Sequence, residues 1–283
     1  MTYEEALREG IRILRAHDVP DAAPDAHLLI EHASGLDRTG YFMHGRDEMP
    51  AEKQEEYFRL ITERAKRIPL QHLTGVQEFC GLQFRVSPDV LIPRQETELL
   101  VMRACSLLEG RDGARVLDMC TGSGCIAVSI LHLLSGKRGG VSMTASDISA
   151  KALAIAEENA RGNGMEITFA RGDLFENTEG VFDLIVSNPP YIRTDVISSL
   201  MPEVRGHDPL AALDGGEDGL YFYREITRRA PEHLAEGGWL LFEIGFDQAG
   251  DVSLLMEQAG FRDITVRKDL SGLDRIVEGR IYV

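Results

Sequence analysis

The chain has 283 residues, 43% of them apolar, which exceeds one typical domain and allows a sizeable core, so we expect one large domain and a smaller one. Its formal net charge of −16 argues against unaided binding to a long stretch of nucleic-acid backbone, because such binding needs a basic face. The four cysteines show neither a C-x-x-C pair nor a disulfide framework, which disfavours a zinc site or a disulfide-stabilised secreted domain.

The first residues of the chain lack the basic start and the apolar centre of a signal peptide, and no stretch has the apolar length of a membrane span. We therefore expect a cytoplasmic protein with no membrane partner. No metal site is predicted, because the histidines lack the spacing of metal ligands.

Residues 1–70 predict a small helical domain. Thr2 followed three residues later by Glu5 is the capping-box pattern of a helix start. Apolar residues at helical spacing continue this first helix, a second helix should end at Gly35, and a charged helix should cover 51–67.

Residues 71–86 change to an alternating pattern. Phe79, Leu82 and Phe84 surround Gly81, which predicts a short β-hairpin. The predicted division is therefore a helical domain over 1–70, a hairpin linker over 71–86 and a main domain over 87–283.

Beyond a helix predicted over 99–108, short apolar runs alternate with amphipathic segments, as a parallel sheet flanked by helices requires. The predicted strands cover 115–118, 141–146, 166–170, 181–187, 238–245, 262–268 and 280–283. The helices between them are predicted over 126–134, 150–160, 221–234 and 249–259. This pattern indicates the α/β class, with a ligand site beyond the carboxyl ends of the strands.

Four of these strand ends carry polar residues, namely Asp118, Asp147, Asp173 and Asn188. Each aspartate alone would suit a helix cap or a loop. Four such residues at neighbouring strand ends favour a binding site over coincidence.

A glycine turn, Gly122-Ser123-Gly124, lies between the first strand and its helix and lets the backbone approach a ligand closely. Ala127 would complete the G-x-G-x-x-A pattern of dinucleotide-binding proteins. Asp118 would, however, repel a pyrophosphate and attract an ammonium group, while Asp147 is placed to bind two ribose hydroxyls. S-adenosylmethionine offers both groups, and Asp173 with Leu174 would then flank its adenine.

The segment Asn188-Pro189-Pro190-Tyr191 ends the strand predicted over 181–187. The prolines restrict the backbone, which leaves the side-chain oxygen of Asn188 and the carbonyl of Pro189 as rigid acceptors suited to a planar NH2 group. Taken alone, the four residues favour a strand-terminating turn over a binding site.

The sequence resembles the release-factor glutamine N5-methyltransferases of the HemK/PrmC type over nearly its whole length. The motifs that carry the resemblance are Ile92-Pro93-Arg94-Gln95-Glu96-Thr97-Glu98, the segment from Asp118 to Ala127, Asn188-Pro189-Pro190-Tyr191-Ile192, Leu213-Asp214-Gly215-Gly216-Glu217-Asp218-Gly219-Leu220, Phe242-Glu243-Ile244-Gly245, and Asp269-Leu270-Ser271-Gly272 with Asp274-Arg275. Cys120 stands where the family more often carries glycine.

The resemblance implies a Rossmann-like class I methyltransferase sheet of seven strands, the last antiparallel, with a helical domain that docks the substrate. The implied substrate is the glutamine of a Gly-Gly-Gln tripeptide in peptide chain release factors. Matched by motif, the cofactor residues are Cys120, Thr121, Gly122, Ser123, Gly124, Asp147, Leu174 and Asn188, to which the strand-end argument adds Asp118 and Asp173. The glutamine would contact Asn188, Pro189, Pro190 and Tyr191, with Asn188, Pro189 and Tyr191 active in catalysis and S-adenosylhomocysteine as the product.

The Asn-Pro-Pro-Tyr motif also occurs in sibling enzymes that act on other methyl acceptors. Two such acceptors therefore remain open here, a glutamine of a ribosomal protein and the N6 atom of adenine in nucleic acid. The acidic composition disfavours the second. We expect a monomer that acts on release factors without direct nucleic-acid contact.

Overall fold

The computed structural model describes residues 1–136 and 140–282. The chain divides into two compact units, and each is described by itself. The first unit comprises Met1–Val76 and Met201–His207, and the second comprises Gln77–Leu200 and Asp208–Val283. The grouping of 201–207 with the first unit was not predicted.

The first unit is helical. Its helices are α1 (Tyr3–Ala16), α2 (Ala22–Ser34), α3 (Arg38–His44), α4 (Ala51–Ala65), α5 (Leu70–Thr74) and α9 (Pro202–His207). The predicted capping box is present, because the Thr2 hydroxyl accepts the Glu5 amide at 3.2 Å and the Glu5 carboxylate accepts the Thr2 amide at 2.9 Å. Gly35, with φ of 72°, ends α2 as predicted. Leu14, Leu29 and similar apolar side chains form the core of the unit.

A buried ion cluster connects α9 to the rest of this unit. Arg64 is only 5% exposed and contacts Asp25 at 2.7 Å and Glu203 at 3.0 Å. Arg67 binds the same Glu203 carboxylate through two hydrogen bonds, of 2.6 and 2.7 Å. Burial alone would raise the pKa of Glu203, but the hydrogen bonds from Arg67 and Arg64 outweigh it and hold that pKa below its usual value.

The predicted hairpin is confirmed, with β1 at Val76–Phe79 and β2 at Leu82–Arg85. Phe79 and Phe84 are buried in the core of the second unit, with ring centroids 6.0 Å apart and an edge-to-face arrangement.

The second unit contains a seven-stranded sheet in the order β5-β4-β3-β6-β7-β9-β8. Its strands are β3 (Ala114–Met119), β4 (Val141–Asp147), β5 (Thr168–Arg171), β6 (Phe182–Ser187), β7 (Leu234–Glu243), β8 (Arg262–Lys268) and β9 (Asp274–Arg280). Its helices are α6 (Thr97–Leu108), α7 (Cys125–Leu134), α8 (Ala150–Gly162), α10 (Tyr221–His233) and α11 (Ala249–Gln258). Strands β3 to β7 pair in parallel and β9, the last in the chain, runs antiparallel to both neighbours, so the predicted mixed α/β sheet is confirmed.

The strand predicted over 280–283 was wrong. The last strand begins at Asp274, because the amide of Asp269 donates to the carbonyl of Leu273 at 2.8 Å and closes the preceding turn early. Val283, part of the predicted strand, lies outside the described residues.

Cores lie on both faces of the sheet, and successive strand residues alternate between them. Val116 and Leu184 pack in one core, whereas Leu117 and Ile185 pack in the other. The chain leaves β3 toward β4 and β5 and then returns to the opposite side of β3 as β6. This reversal opens a crevice at the carboxyl ends of β3 and β6, where α/β sheets bind ligands.

Candidate active site

The chain turns sharply between β3 and α7. Cys120, Gly122 and Gly124 have φ values of 60°, 54° and 80°, in the left-handed region that favours glycine. A Cβ atom on Gly124 would lie 3.0 Å from that of Ala156 on α8, whereas one on Gly122 would meet nothing within 4 Å. Gly124 therefore permits close helix packing, and the space beside Gly122 is open to a ligand.

Asp118 lies beneath this turn. It is fully buried and accepts hydrogen bonds from the Thr121 hydroxyl at 2.5 Å and from the Ala127 amide at 3.2 Å. Burial raises the pKa of its carboxyl to about 7, against the opposing effect of those two hydrogen bonds. In this position Asp118 fixes the turn in place.

Asp147, at the end of β4, holds the same turn from the other side. Its two carboxylate oxygens accept the amides of Gly122 and Ser149, each at 2.9 Å. Burial raises the pKa of this carboxyl, and the backbone hydrogen bonds oppose that rise. A carboxylate has about four lone-pair sites, so Asp147 retains capacity to accept from a ligand hydroxyl.

A cavity of about 420 Å³ lies at this edge of the sheet, a volume within the range of small-molecule sites. The predicted site residues that line it are Cys120, Thr121, Gly122, Ser123, Asp147, Asp173, Leu174, Asn188 and Pro190. The predicted residues Asp118, Gly124, Pro189 and Tyr191 are not part of its lining.

Two apolar residues accompany the acids in the lining. Ile148, next to Asp147, is 61% exposed, and Leu174 adopts φ of 54° and is 7% exposed. An exposed isoleucine beside a carboxylate suits the ring face of a nucleoside whose hydroxyls bind that carboxylate. The sequence analysis missed Ile148, although an apolar residue directly after a strand-end acid is a usable signal.

The segment Asn188-Pro189-Pro190-Tyr191 follows β6 at the crevice. The Asn188 Nδ2 atom donates to the Thr97 hydroxyl at 3.3 Å, and both prolines are buried. Burial raises the pKa of the half-buried Tyr191 to about 12. Its hydroxyl therefore stays protonated at neutral pH.

A glycine-rich loop packs against Tyr191. A Cβ atom on Gly215 would lie 2.7 Å from the Tyr191 Cα atom, and one on Gly219 would lie 2.5 Å from the Tyr191 carbonyl oxygen. The side-chain Nε2 atom of Gln248 donates to that same carbonyl at 3.0 Å and to the carbonyl of Gly219 at 3.1 Å. The loop and the segment after β6 therefore form one tightly packed wall.

Residues missed by the sequence analysis complete the site. Thr97 lies under Asn188 and is 2% exposed, as is Glu243 at the end of β7. Ser187 pairs with Phe242 in the sheet, so Glu243 is the neighbour of Asn188. A charged residue at the end of an apolar strand was the available signal for Glu243.

An ion pair joins two loops of the second unit beside the cavity. Arg94, which lines the cavity, contacts the buried Asp208 at 2.6 Å. Within 1–136 and 140–282, no group of three or more His, Cys, Asp or Glu could hold a metal ion. None of the helices in those ranges is long and apolar enough to cross a membrane.

Comparison with known families matches two parts of the chain. A family model described as the PrmC N-terminal domain matches residues 5–75. A second, described as the methyltransferase small domain, matches residues 96–201.

Relatives match over almost the full chain. The release factor glutamine methyltransferase of Geobacter sulfurreducens is 44% identical over 264 residues, which cover 93% of this chain and 91% of that protein. The protein of the same name from Agrobacterium fabrum is 41% identical over 285 residues, covering 99% of this chain and 97% of the relative. A methyltransferase crystal structure from Pyrococcus furiosus shares the fold, with a TM-score of 0.53 and 17% identity over 78% of this chain and 99% of that one.

Proposed function

The chain belongs to the family of release factor glutamine methyltransferases, and on that premise we propose that it methylates the side-chain nitrogen (N5) of the glutamine in the Gly-Gly-Gln motif of peptide chain release factors, with S-adenosylmethionine as methyl donor. It is thus a protein-glutamine N-methyltransferase. The observation that best supports this proposal is one cavity lined both by the Asn188 carboxamide and by the glycine turn with Asp147.

The residues around the cavity fit S-adenosylmethionine. The open space beside Gly122 suits the methionine portion, and the free lone pairs of Asp147 suit the ribose hydroxyls. Ile148 and Leu174 suit the adenine ring, with the exposed carboxylate of Asp173 at its edge. Asp118 acts on the cofactor through the turn it supports.

Asn188 and Pro189 hold the substrate amide in the proposed complex. The Asn188 Oδ1 atom and the Pro189 carbonyl accept the two N–H protons of the glutamine, which orients its nitrogen toward the methyl group. An amide nitrogen is a poor nucleophile, because its lone pair is delocalised into the carbonyl. Acceptors fixed in place stabilise the positive charge that grows on this nitrogen during transfer.

When bound, S-adenosylmethionine would supply an electrophilic methyl group to the glutamine nitrogen, with S-adenosylhomocysteine as the leaving group, and the methylated amide would release one proton to solvent. Pro190 and the ring of Tyr191 pack beside the reacting amide and exclude water from it. The raised pKa of Tyr191 fits a role for its ring and a neutral hydroxyl. No side-chain base is needed before the attack.

The two alternative acceptors have less support. Relatives that span 93% and 99% of the chain are named for release factors, and the PrmC N-terminal domain model matches residues 5–75. A net charge of −16 further disfavours a nucleic-acid substrate. We propose a monomer as the acting form. A translation factor as substrate supports action in the cytoplasm.

Methyl transfer from labelled S-adenosylmethionine tests this function. Release factor, release factor with the Gly-Gly-Gln glutamine changed to alanine, a ribosomal protein and DNA should be assayed side by side. We expect label on the unaltered release factor alone. If the ribosomal protein or DNA were labelled as much as the unaltered release factor, or more, the proposed substrate would be wrong.

A further inference from the structure

Asn188 has a buried hydrogen-bond partner, Thr97, which also lines the cavity. Thr97 is the first residue of α6, and its amide donates to the Arg94 carbonyl at 3.1 Å, which fixes its position. The Thr97 hydroxyl accepts from the Asn188 Nδ2 atom at 3.3 Å. The two residues are 91 positions apart in the chain, so the fold alone brings them together.

Glu243 lies behind this pair. It is 2% exposed, and the side chains of Thr97 and Asn188 are within hydrogen-bonding reach of its carboxyl. Its Oε2 atom accepts no hydrogen bond from any residue that the structure describes. Burial raises the pKa of this carboxyl to about 7, although Arg275 and the hydrogen bonds from Thr97 and Asn188 act in the opposite direction.

A buried carboxyl with an unsatisfied oxygen destabilises a strand end, where an apolar residue would pack at no such cost. Neighbouring strand residues Leu241 and Phe242 are fully buried and apolar, so the site itself could take an apolar side chain. Because Glu243 lies beside Asn188, we infer that the buried carboxyl serves the function of Asn188.

The chemistry of the three side chains determines how Asn188 is turned. A carboxyl offers an acceptor oxygen whether or not it is protonated, so the Thr97 hydroxyl can donate its proton to Glu243 and face Asn188 with its lone pairs. These lone pairs bind the NH2 end of the Asn188 carboxamide and repel its oxygen. The Asn188 Oδ1 atom then faces away from Thr97 and is free to accept from a substrate in the cavity that Asn188 lines.

We propose that Thr97 and Glu243 are positioning residues that hold the NH2 group of Asn188 against the sheet and so present its oxygen to the substrate amide. This proposal rests on the proposed function, in which that oxygen accepts a substrate proton. If the Asn188 carboxamide were reversed, its NH2 group would face the NH2 group of the substrate glutamine. Two donors cannot form a hydrogen bond, so the glutamine nitrogen would not be oriented. Neither residue touches the reacting atoms.

Thr97→Val tests the proposal, because it keeps the shape of the side chain and removes the hydroxyl. We expect kcat for release-factor methylation to fall by roughly 10- to 100-fold, since misplacing a positioning group has effects of that order. Binding of S-adenosylhomocysteine should be unchanged. Thr97→Ser, the matched control, keeps the hydroxyl and should retain kcat. Full kcat in Thr97→Val, or an equal loss in Thr97→Ser, would overturn the proposal.

A second measurement does not depend on activity. The side-chain NH2 signals of Asn188 in the ligand-free protein can be assigned in nitrogen-15 spectra by their disappearance in Asn188→Asp. We expect slow hydrogen exchange of this group in the wild type and faster exchange in Thr97→Val. Exchange in the wild type as fast as that of an exposed asparagine would refute the positioning role, even if a variant failed to fold. The wild type could also methylate none of the acceptors and still show slow hydrogen exchange of the Asn188 NH2 group. That result would count against the proposed function and not against the positioning role.

Discussion

Asp147 accepts the backbone amide of Gly122 across 2.9 Å, so the end of β4 and the turn after β3 share one carboxylate. Removing this carboxylate with Asp147→Ala frees the turn and deletes the proposed ribose acceptors. We expect affinity for S-adenosylhomocysteine to fall by about 10- to 100-fold, since hydrogen bonds to a charged group are among the stronger ones. Isothermal titration calorimetry measures this change. Asp112→Ala, at an exposed acid, is the control, and equal affinities in both variants would contradict the ribose assignment.

Asn188→Ala should leave cofactor affinity almost unchanged and reduce kcat on a release factor by about 10²- to 10³-fold, because it removes a fixed acceptor for the charge that develops on nitrogen. Asn188→Asp keeps an acceptor at the same place but adds a charge next to Glu243. Its kcat should therefore lie between those of the wild type and of Asn188→Ala. Single-turnover methyl transfer separates the chemical step from binding. Full transfer by Asn188→Ala would remove Asn188 from the mechanism.

Gly215→Ala should destabilise the wall beside Tyr191. The added Cβ atom would lie 2.7 Å from the Tyr191 Cα atom and 2.9 Å from the Pro190 carbonyl oxygen, and both are backbone atoms. We expect a loss of about 1–3 kcal/mol in the free energy of unfolding, as for other overpacked sites, with reduced methyl transfer. Gly162→Ala on α8 meets nothing within 4 Å and should leave both quantities intact. Urea unfolding of the two variants makes the comparison.

Arg64→Ala should weaken the first unit strongly. It leaves Asp25 and the half-buried Glu203 without a shared cation, and breaking a buried pair in this way costs about 3–5 kcal/mol. Arg59→Ala removes only a solvent-exposed pair with Glu56, so its loss should be within about 1 kcal/mol. Chemical denaturation gives both values. Similar small losses would mean that the cluster does not hold α9 in place.

Glu243→Gln should change how stability depends on pH. Burial raises the pKa of Glu243 from 4.5 to about 7, so between these values the folded state holds a proton that the unfolded chain has released. Wild-type stability from this group therefore falls as pH rises through that window. The variant does not titrate there, so its stability relative to the wild type should rise from pH 4.5 to about 7 and then level off. Urea unfolding of the ligand-free proteins across that range measures the difference, and a constant difference would exclude the raised pKa.

Strand ends were predictable from the sequence, because apolar runs closed by Asp147 or Asn188 mark where a parallel strand leaves the sheet. The direction of a side chain at such an end was harder to foresee. Asp118 and Asp147 read alike in the sequence, yet Asp118 points beneath the turn and Asp147 lines the cavity. Asp118 pairs with Ala145, so it lies two residues below the level of Asp147 in the sheet, inside the strand and not beyond its end.

Partners distant in sequence could not be predicted. The acids at the start of α6 had a sufficient explanation in the helix dipole, and nothing local linked Thr97 to Asn188. The docking of 201–207 onto the helical unit depends on Arg64 and Arg67, whose partner Glu203 lies 139 and 136 residues away. No periodic pattern carries information over such a distance.

The short helix α9 also limits how this protein can be recombined with its relatives. A chimera that exchanged only Met1–Val76 would pair Arg64 and Arg67 of one parent with whatever follows Leu200 in the other. Transplanting the helical unit therefore requires two separate pieces of coding sequence, the first 76 codons and those for Met201–His207. Homologous exchange of these two pieces together should yield folded hybrids where exchange of the first alone does not.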